Sequence, residues 1–584
     1  MNTRKTEKTT NSRLFNKGIL PVAVATAMFG GLSANAAQFQ ITSDATIGNN
    51  TSNNSTTNYL LNGAVTLTTN STMTTFYGTI DGNTTSQGTD DGMGQQIVIA
   101  GNLTMHGNIG ATNGTGNFTI NAGNALTLAS NVSVFNTSNI TISDSSTLNL
   151  GNTTTGYNRG ATDLLTISAN ISVGNNGTIN VGNGTTLDGV IYGTTDGVGT
   201  LNIHGNFTSG GGIGDEVEGT AHSLSTINVL SGNTFTLQHN ATATSVYVNG
   251  TLKAVGPSGN ITGNVLLGSS GKVYLNRSES EKSASANITG TINGNGERGG
   301  SLYINGTYTT AGEIGGSYGL NNIYLDNENT SISDNTYVFA HSVNATNIIL
   351  GSSTSSRNAT LTLSKASVKD DGMNIVITGN IVGGGNYTSG GDDSRGILAV
   401  NATNAVVDGT IGTSDAYLSA ITIADRKILT AKGSIYSGNI TLQGATNLSG
   451  GNTTLAINGT ANTAYTINGA INGERQGDGR IDVNSGNVTF ANQIGNDNYI
   501  AAINVASGAE MKVSNHIYAN ETITVLGTLS LTSAANFTFA TTSGSAIGLK
   551  VGNNSGTNGT LTLGDTLTLN SSVITTASGG SNAT

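Results

Sequence analysis

The chain has 584 residues, of which 9% are charged and 5% aromatic, and it contains neither cysteine nor tryptophan. Its formal charge of −11 disfavours a nucleic-acid partner, and the lack of cysteine excludes disulfide bonds. Although glycine is abundant and Asn, Ser and Thr fill much of the rest, Ile, Val and Leu recur at two-residue alternation. Disordered chains avoid that pattern, so we expect an all-β protein made of short strands.

The first 36 residues differ in kind from the rest. Five basic residues precede an apolar run from Ile19 to Leu32, which ends in the sequence SANAA with small residues at Ala34 and Ala36. This pattern predicts a Sec signal peptide over residues 1–36, cleaved near Ala36, because a membrane anchor needs a longer apolar span. Cleavage removes five basic residues and Glu7, a net +4, and leaves about −15 on the exported chain.

Two short phrases then recur five times in a fixed order. The first, Gly-x-Ile-x-Gly, begins at Gly78, Gly189, Gly290, Gly379 and Gly469, at spacings of 111, 101, 89 and 90 residues. The second is an Ile-Gly pair whose glycine lies 25 to 33 residues after each of those starts, as in EIGGSYGLNNIYL from Glu313. We therefore expect residues 37–77 to form an N-terminal cap or first coils, and residues 78–584 to form about five repeats.

A repeat of this length fits two architectures. Tandem immunoglobulin-like sandwiches bury several large residues per domain and carry proline-marked linkers, whereas this chain has two prolines and no break in composition between units. Strand signals of three to five residues followed by Gly or Asn favour an elongated, right-handed parallel β-helix with roughly 20 to 25 residues per coil. We expect Gly and Asn at the turns, with stacked asparagines bonded to one another there, and small aliphatic side chains in columns inside.

Charged residues recur between the two phrases. Asp90 and Asp91 lie there in the first unit and Asp392 and Asp393 in the fourth, while the third and fifth carry NGNGERGG and NGERQGDGR. A solvated loop on one side of the rod explains these charges, and the two aspartate pairs are the weak alternative candidates for a calcium or ligand site.

The sequence shows no pair of acidic residues, and no acid with a basic partner, at the spacing that a hydrolase or lyase would need. Polysaccharide lyases and glycosidases of the β-helix type need carboxylates at defined separation. The candidate clusters of charged residues are Asp215, Glu216 and Glu218; Glu279, Glu281 and Lys282; and Lys369, Asp370 and Asp371. The histidines, which show no metal-ligand spacing, are His106, His204, His222, His239, His341 and His516. We expect no enzyme activity, no catalytic residue, no metal and no cofactor.

The signal peptide, the Gly/Asn/Thr-rich solenoid and the recurrent phrases of the type GNIG…L..INV together resemble the passenger regions of rickettsial-type outer-membrane autotransporters, the surface cell antigen family. That resemblance implies Sec export, help from an outer-membrane β-barrel, and a β-helical rod displayed by a Gram-negative cell for adhesion or as a surface coat. It implies host-cell or neighbouring surface molecules as partners.

The chain departs from that family at its end, where LNSSVITTASGGSNAT continues the repeat style and no translocator barrel is predicted. A truncated or fragmentary gene product is one explanation, and a separately encoded barrel is another. Two other functions stay open: a self-assembling surface-layer protein, and a β-helical polysaccharide-degrading enzyme with two or three acids on adjacent coils, for instance around Asp392 and Asp393.

Overall fold

Short strands with alternating burial build the described chain. In the strand Thr147–Leu150, for example, Leu148 and Leu150 are buried while Thr147 and Asn149 are half-exposed. The computed structural model describes residues 37–47, 57–82, 95–150, 164–214, 216–217, 220–255, 258–276, 286–296, 298–325, 335–351, 358–364, 374–384, 395–444, 453–521, 523–532, 537–540, 548–552, 557–563, 569–570 and 573–576. Within these ranges every regular element is a strand.

The strands, numbered along the chain, are β1 Ala37–Ile41, β2 Ala45–Ile47, β3 Thr57–Leu61, β4 Thr66–Thr69, β5 Thr75–Phe76, β6 Thr79–Gly82, β7 Gln96–Ile99, β8 Leu103–Met105, β9 Thr115–Ile120, β10 Ala125–Leu128, β11 Val134–Ile142, β12 Thr147–Leu150, β13 Leu165–Val173, β14 Thr178–Val181, β15 Thr185–Leu187, β16 Ile191–Gly193, β17 Thr200–Ile203, β18 Phe207–Ser209, β19 Glu216–Val217, β20 Thr220–Ala221, β21 Leu224–Val229, β22 Thr234–Leu237, β23 Ala241–Val248, β24 Thr251–Val255, β25 Ile261–Leu267, β26 Lys272–Asn276, β27 Ile288–Thr289, β28 Ile292–Gly294, β29 Gly299–Asn305, β30 Tyr308–Thr309, β31 Leu320–Leu325, β32 Thr336–Phe339, β33 Val343–Leu350, β34 Thr360–Leu363, β35 Ile375–Gly383, β36 Ile397–Val400, β37 Asn404–Asp408, β38 Leu418–Ile423, β39 Ile428–Ala431, β40 Ile435–Leu442, β41 Thr454–Asn458, β42 Ala464–Gly473, β43 Arg480–Ser485, β44 Asn487–Phe490, β45 Ala502–Val505, β46 Glu510–Val513, β47 Ile517–Tyr518, β48 Ile523–Val525, β49 Thr528–Leu531, β50 Phe537–Ala540, β51 Gly548–Val551, β52 Thr560–Leu563, β53 Leu569–Asn570 and β54 Val573–Thr576.

These strands stack in parallel into long ladders, and the fold is an elongated parallel β-helix, as the sequence predicts. One ladder runs from β2 to β54, a second joins β5 to β27 and β28, and a third joins β30 to β52. Short ladders join β1, β3 and β6, and β47, β50 and β53. The hairpin of β19 and β20 is antiparallel.

The core is a set of aliphatic columns along the axis. Each inward side chain lies in register with an inward side chain of the coils above and below, as one column of residues shows: Leu67, Ile97, Phe118, Ile140, Ile171, Ile191, Ile213, Ala241, Ile261 and Ile288. Every one of these side chains is at most 2% exposed. Because full burial of one such aliphatic side chain is worth about 1.5–3 kcal/mol, these columns are the main source of stability.

The two recurrent phrases form consecutive rungs. In every unit the isoleucine of Gly-x-Ile-x-Gly pairs with the isoleucine of the Ile-Gly pair, which pairs in turn with a third buried residue. The five stacks are Ile80, Ile109 and Phe135; Ile191, Ile213 and Ala241; Ile292, Ile314 and Val343; Ile381, Ile411 and Ile435; and Ile471, Ile494 and Ile517. The phrases recur because their isoleucines pair in the same way on neighbouring rungs of each unit.

A β-bulge follows the third residue of the stack in the first four units. The register shifts between Asn136 and Asn139, Thr242 and Ser245, Asn344 and Asn347, and Tyr436 and Asn439. A bulge bends a strand locally, so each long strand turns a corner of the coil at this point.

Two sequence expectations need correction. Coils are less uniform than expected, since rungs in register are as few as 17 residues apart (Thr234 and Thr251) and as many as 37 (Thr360 and Ile397). Asparagines at turns cap the next coil's backbone, as when the Oδ1 of Asn183 accepts from the backbone N–H of Asn206. A side-chain ladder of asparagines lies instead within strands β12, β14, β17 and β21, where the parallel register aligns successive amides.

Candidate binding surface

Several residues that the sequence singled out lie outside the described ranges. They are Ala34 and Ala36 of the predicted cleavage site; Asp90, Asp91, Asp392 and Asp393; and Asp215, Glu218, Glu279, Glu281, Lys282, Lys369, Asp370 and Asp371. Glu216 belongs to the short strand β19.

The loop between the two phrases is described in the fifth unit. The backbone N–H of Gly473 donates to Asn498 O, and that of Gly477 donates to Tyr499 O, so the loop packs on the segment after the Ile-Gly pair. Burial raises the pKa of the Asp478 carboxyl, with Glu474 and Asp425 adding to the effect, although Arg475 opposes it. Because Asp478 accepts from the backbone N–H of Arg475 at 2.9 Å, its carboxylate closes the turn.

The histidines are spread along the rod. His106 stacks on Tyr77 with ring centroids 4.5 Å apart, and His222 Nδ1 lies 3.9 Å from Asp196 Oδ1. In the described part of the chain, no three His, Asp or Glu side chains come together as a metal site would require.

The outward face of the second ladder carries a polar ladder. Asn149, Asn180, Asn202 and Asn228, hereafter the asparagine ladder, occupy equivalent positions on β12, β14, β17 and β21. Each amide donates to the preceding one at 2.7–2.8 Å, and Asn149 donates to Thr127 Oγ1 at 3.0 Å. A parallel row of Thr147, Thr178, Thr200 and Thr226 lies two residues before it. Satisfied amides of this kind stiffen the rod.

The outward face of the longest ladder carries an aromatic feature. Tyr274, Tyr303 and Tyr324, on β26, β29 and β31, stack with ring centroids 4.3 and 4.6 Å apart and planes within 7° of parallel. Ile349 and Val382 continue the row on β33 and β35, so that five consecutive rungs present partly exposed apolar side chains. We call this row the tyrosine stripe.

Polar side chains flank the tyrosine stripe two residues away on the same strands. Asn347 donates to Asn322 at 3.1 Å, Asn380 donates to Asn347 at 3.2 Å, and Ser301 precedes them in the row. On the other side, Asn305 donates to Asn276 at 2.8 Å. The stripe therefore has a row of polar side chains on one side and the pair Asn276 and Asn305 on the other.

Cations gather at one end and one side of this band. Lys253 lies in register with Tyr274, Lys272 begins the flanking row on the same strand as Tyr274, and both are exposed. Arg298 Nη1 donates to Thr346 Oγ1 at 2.7 Å, beside the amide of Asn347. Strands β24, β26, β29, β31, β33 and β35 contain no Asp or Glu, and no described carboxylate pairs with Lys253 or Lys272. These six strands therefore carry two lysines and no carboxylate.

The hydroxyl of Tyr303 remains protonated well into the alkaline range. Burial raises the pKa of Tyr303 to about 12, with the neighbouring Tyr274 and Tyr324 rings adding to the effect through their charges when ionised. Because a protonated phenol donates as well as accepts, Tyr303 offers an O–H donor at neutral pH.

Sequence reasoning missed this band, since its members are 21 to 33 residues apart along the chain. The signal was present as Tyr at the third position of KVYLN and the fifth of both GGSLYIN and LNNIYL. It becomes visible only when the strands are placed in register.

Among the described residues, no helix is long and apolar enough to cross a membrane. No protein-family model, no curated protein and no solved structure matches the chain.

Proposed function

We propose that the chain is an exported, non-enzymatic surface protein of the autotransporter-passenger type, and that its β-helix is displayed as a rod for adhesion or as a surface coat. The signal-peptide pattern over residues 1–36 supports export. The observation that carries the proposal is the parallel ladder that runs from β2 to β54 through every unit. Such a ladder makes a stiff, long scaffold with side chains at fixed spacing.

The lateral surface of the rod is better suited to binding a large partner than to catalysing a reaction. The asparagine ladder and the tyrosine stripe are extended rows along the axis, and a row of this kind offers a repeated contact to a large partner. The low charged fraction of 9% fits a protein whose contacts are neutral hydrogen bonds and apolar surface.

Surface proteolysis of intact cells tests the proposal. Cells that make the chain should lose it when a protease is added outside, while a periplasmic marker stays intact. The mature N-terminus should be Ala37, and Ala36→Leu should accumulate the precursor, because the cleaving enzyme needs small residues at this site. A chain that stays protected in intact cells and keeps residues 1–36 would refute the proposal.

A further inference from the structure

The six strands that carry the tyrosine stripe and its flanks are rich in hydrogen-bond donors and contain no Asp or Glu. Three phenols, the amides of Asn322, Asn347 and Asn380, and the ammonium groups of Lys253 and Lys272 lie on six consecutive rungs. The rungs are about 4.8 Å apart, so the band extends about 24 Å along the axis. A complementary ligand is linear, rich in oxygen acceptors and anionic.

The arrangement of the three rings favours a polysaccharide over a single-stranded nucleic acid as the anionic ligand. Single-stranded nucleic acids bind to aromatic platforms by stacking their bases on open ring faces. Here the facing planes of Tyr274, Tyr303 and Tyr324 cover one another, so that no base can enter between them. Ring edges and O–H groups suit a polyhydroxylated chain rather than a base.

An acidic peptide fits less well. Extended peptides gain affinity by adding a strand to an exposed sheet edge through backbone hydrogen bonds. The band lies on the face of an interior part of the ladder, where β26, β29 and β31 are each paired on both sides. The ligand must therefore be held by side chains, and the sugar hydroxyls of a polysaccharide match rows of amides and phenols.

We propose that the tyrosine stripe, with Lys253 and Lys272, binds an acidic polysaccharide that lies along the axis of the rod. This inference rests on the proposed function, because a displayed rod meets such polymers outside the cell. The anionic groups of the polysaccharide contact the two lysines, while its hydroxyls bond to the phenols and amides. The chain's overall negative charge does not prevent this, since charges beyond about 8 Å are largely screened at physiological salt.

The test measures binding of the full mature chain to immobilised heparin, with hyaluronan, dextran, oligothymidine and polyglutamate as comparison probes. Heparin should bind best, its affinity should fall as salt rises, and the double variant K253Q/K272Q should weaken it about tenfold. Tyr303→Phe, which keeps the ring and removes one hydroxyl, should weaken it by a smaller factor of about two to five.

A matched control removes the same charge elsewhere. Lys432 and Lys512 each lie 3.4 Å from a carboxylate, of Asp408 and Glu510 respectively. The double variant K432Q/K512Q should leave heparin affinity within twofold, and circular dichroism checks that all variants keep their strands.

The inference is overturned if the wild type binds no acidic polysaccharide. It is equally overturned if dextran, oligothymidine or polyglutamate binds as tightly as heparin, or if the control variant loses as much affinity as K253Q/K272Q. None of these results affects surface proteolysis, so the proposed function is judged separately.

Discussion

The backbone N–H of Gly110 donates a 2.7 Å hydrogen bond to the carbonyl oxygen of Ile80, which joins the two recurrent phrases of the first unit. The same bond, at 2.6–2.7 Å, joins Gly214 to Ile191, Gly315 to Ile292, Gly412 to Ile381 and Gly495 to Ile471. All five glycines have φ between 62° and 73°. The phrases therefore mark one corner of the coil, where two rungs approach closely.

Substitution of the glycine at this corner should destabilise the rod by more than the backbone strain alone would cost. A Cβ on Gly412 would collide with the carbonyl oxygen of Tyr436 and would hold a left-handed conformation, at a φ of 72°. We expect Gly412→Ala to cost at least about 3 kcal/mol, measured by thermal unfolding and by hydrogen exchange of the adjacent coils.

Gly232 is the matched control for that substitution. Its φ is 81°, but a Cβ there would meet nothing within 4 Å. Gly232→Ala should therefore cost only the conformational penalty of about 1–2 kcal/mol. Equal effects of the two substitutions would mean that the close approach of the rungs contributes nothing.

The core columns predict a strong effect of truncation. Phe118 is fully buried and meets Phe135 edge-on, with ring centroids 5.0 Å apart. Phe118→Ala should lower the free energy of unfolding by about 3–5 kcal/mol, because it leaves a cavity between coils that stack rigidly. Tyr318→Ala, at a side chain that is 50% exposed, should change it by less than about 0.5 kcal/mol. A small effect at Phe118 would contradict the column.

The asparagine ladder predicts that an inner rung matters more than an end rung. Asn180 donates to Asn149 and accepts from Asn202, whereas Asn228 donates to Asn202 at the end of the ladder. Asn180→Ala should destabilise the rod by about 1 kcal/mol more than Asn228→Ala, since it removes one hydrogen bond more. Urea unfolding of both variants measures the difference, and the reverse order would refute the ladder.

The raised pKa of Tyr303 predicts a loss of stability at alkaline pH. Its pKa is about 12 in the folded chain against an ordinary value of 10.0, so the folded state holds the phenol proton more tightly. The resulting stabilisation is fully present below pH 10 and is lost as pH rises toward 12.

Absorbance titration of tyrosinate measures this directly. The difference between wild type and Tyr303→Phe should show one phenol that ionises near pH 12, and the wild type should lose more stability than the variant between pH 10 and pH 12. A difference curve centred at pH 10 would mean that the ring is not buried against its neighbours.

Much of the fold was predictable from the sequence because its signals are local. Alternation in TLNL and TINV predicts strands, glycine predicts the tight corner at Gly110 and its equivalents, and the order of the two phrases predicts the repeat. The lack of tryptophan agrees with a core of aliphatic columns, although Phe118, Phe135 and other phenylalanines also fit inside.

The surface could not be predicted in the same way. Which side chains meet outside the rod depends on the offset between rungs, and that offset varies because the connections between strands differ in length. Tyr274 and Tyr303 are 29 residues apart, while Tyr303 and Tyr324 are 21 apart, so no fixed period finds the stripe. The acidic pairs drew attention in the sequence because charge is scarce, and Asp90, Asp91, Asp392 and Asp393 lie outside the described residues.

Cysteine pairs test the parallel register most directly, since the chain has no cysteine of its own. Thr178 lies opposite Thr200, and Asn180 lies opposite Asn202, on β14 and β17. Neighbouring rungs bring such Cα atoms to about 4.8 Å, within the range of a disulfide, whereas a partner two residues further along is about 8 Å away. Oxidation should therefore link both T178C/T200C and N180C/N202C, and it should leave T178C/N202C unlinked. If only one of the two opposite pairs forms, or if the offset pair forms as readily, the strands are not parallel in this register and the β-helix is contradicted.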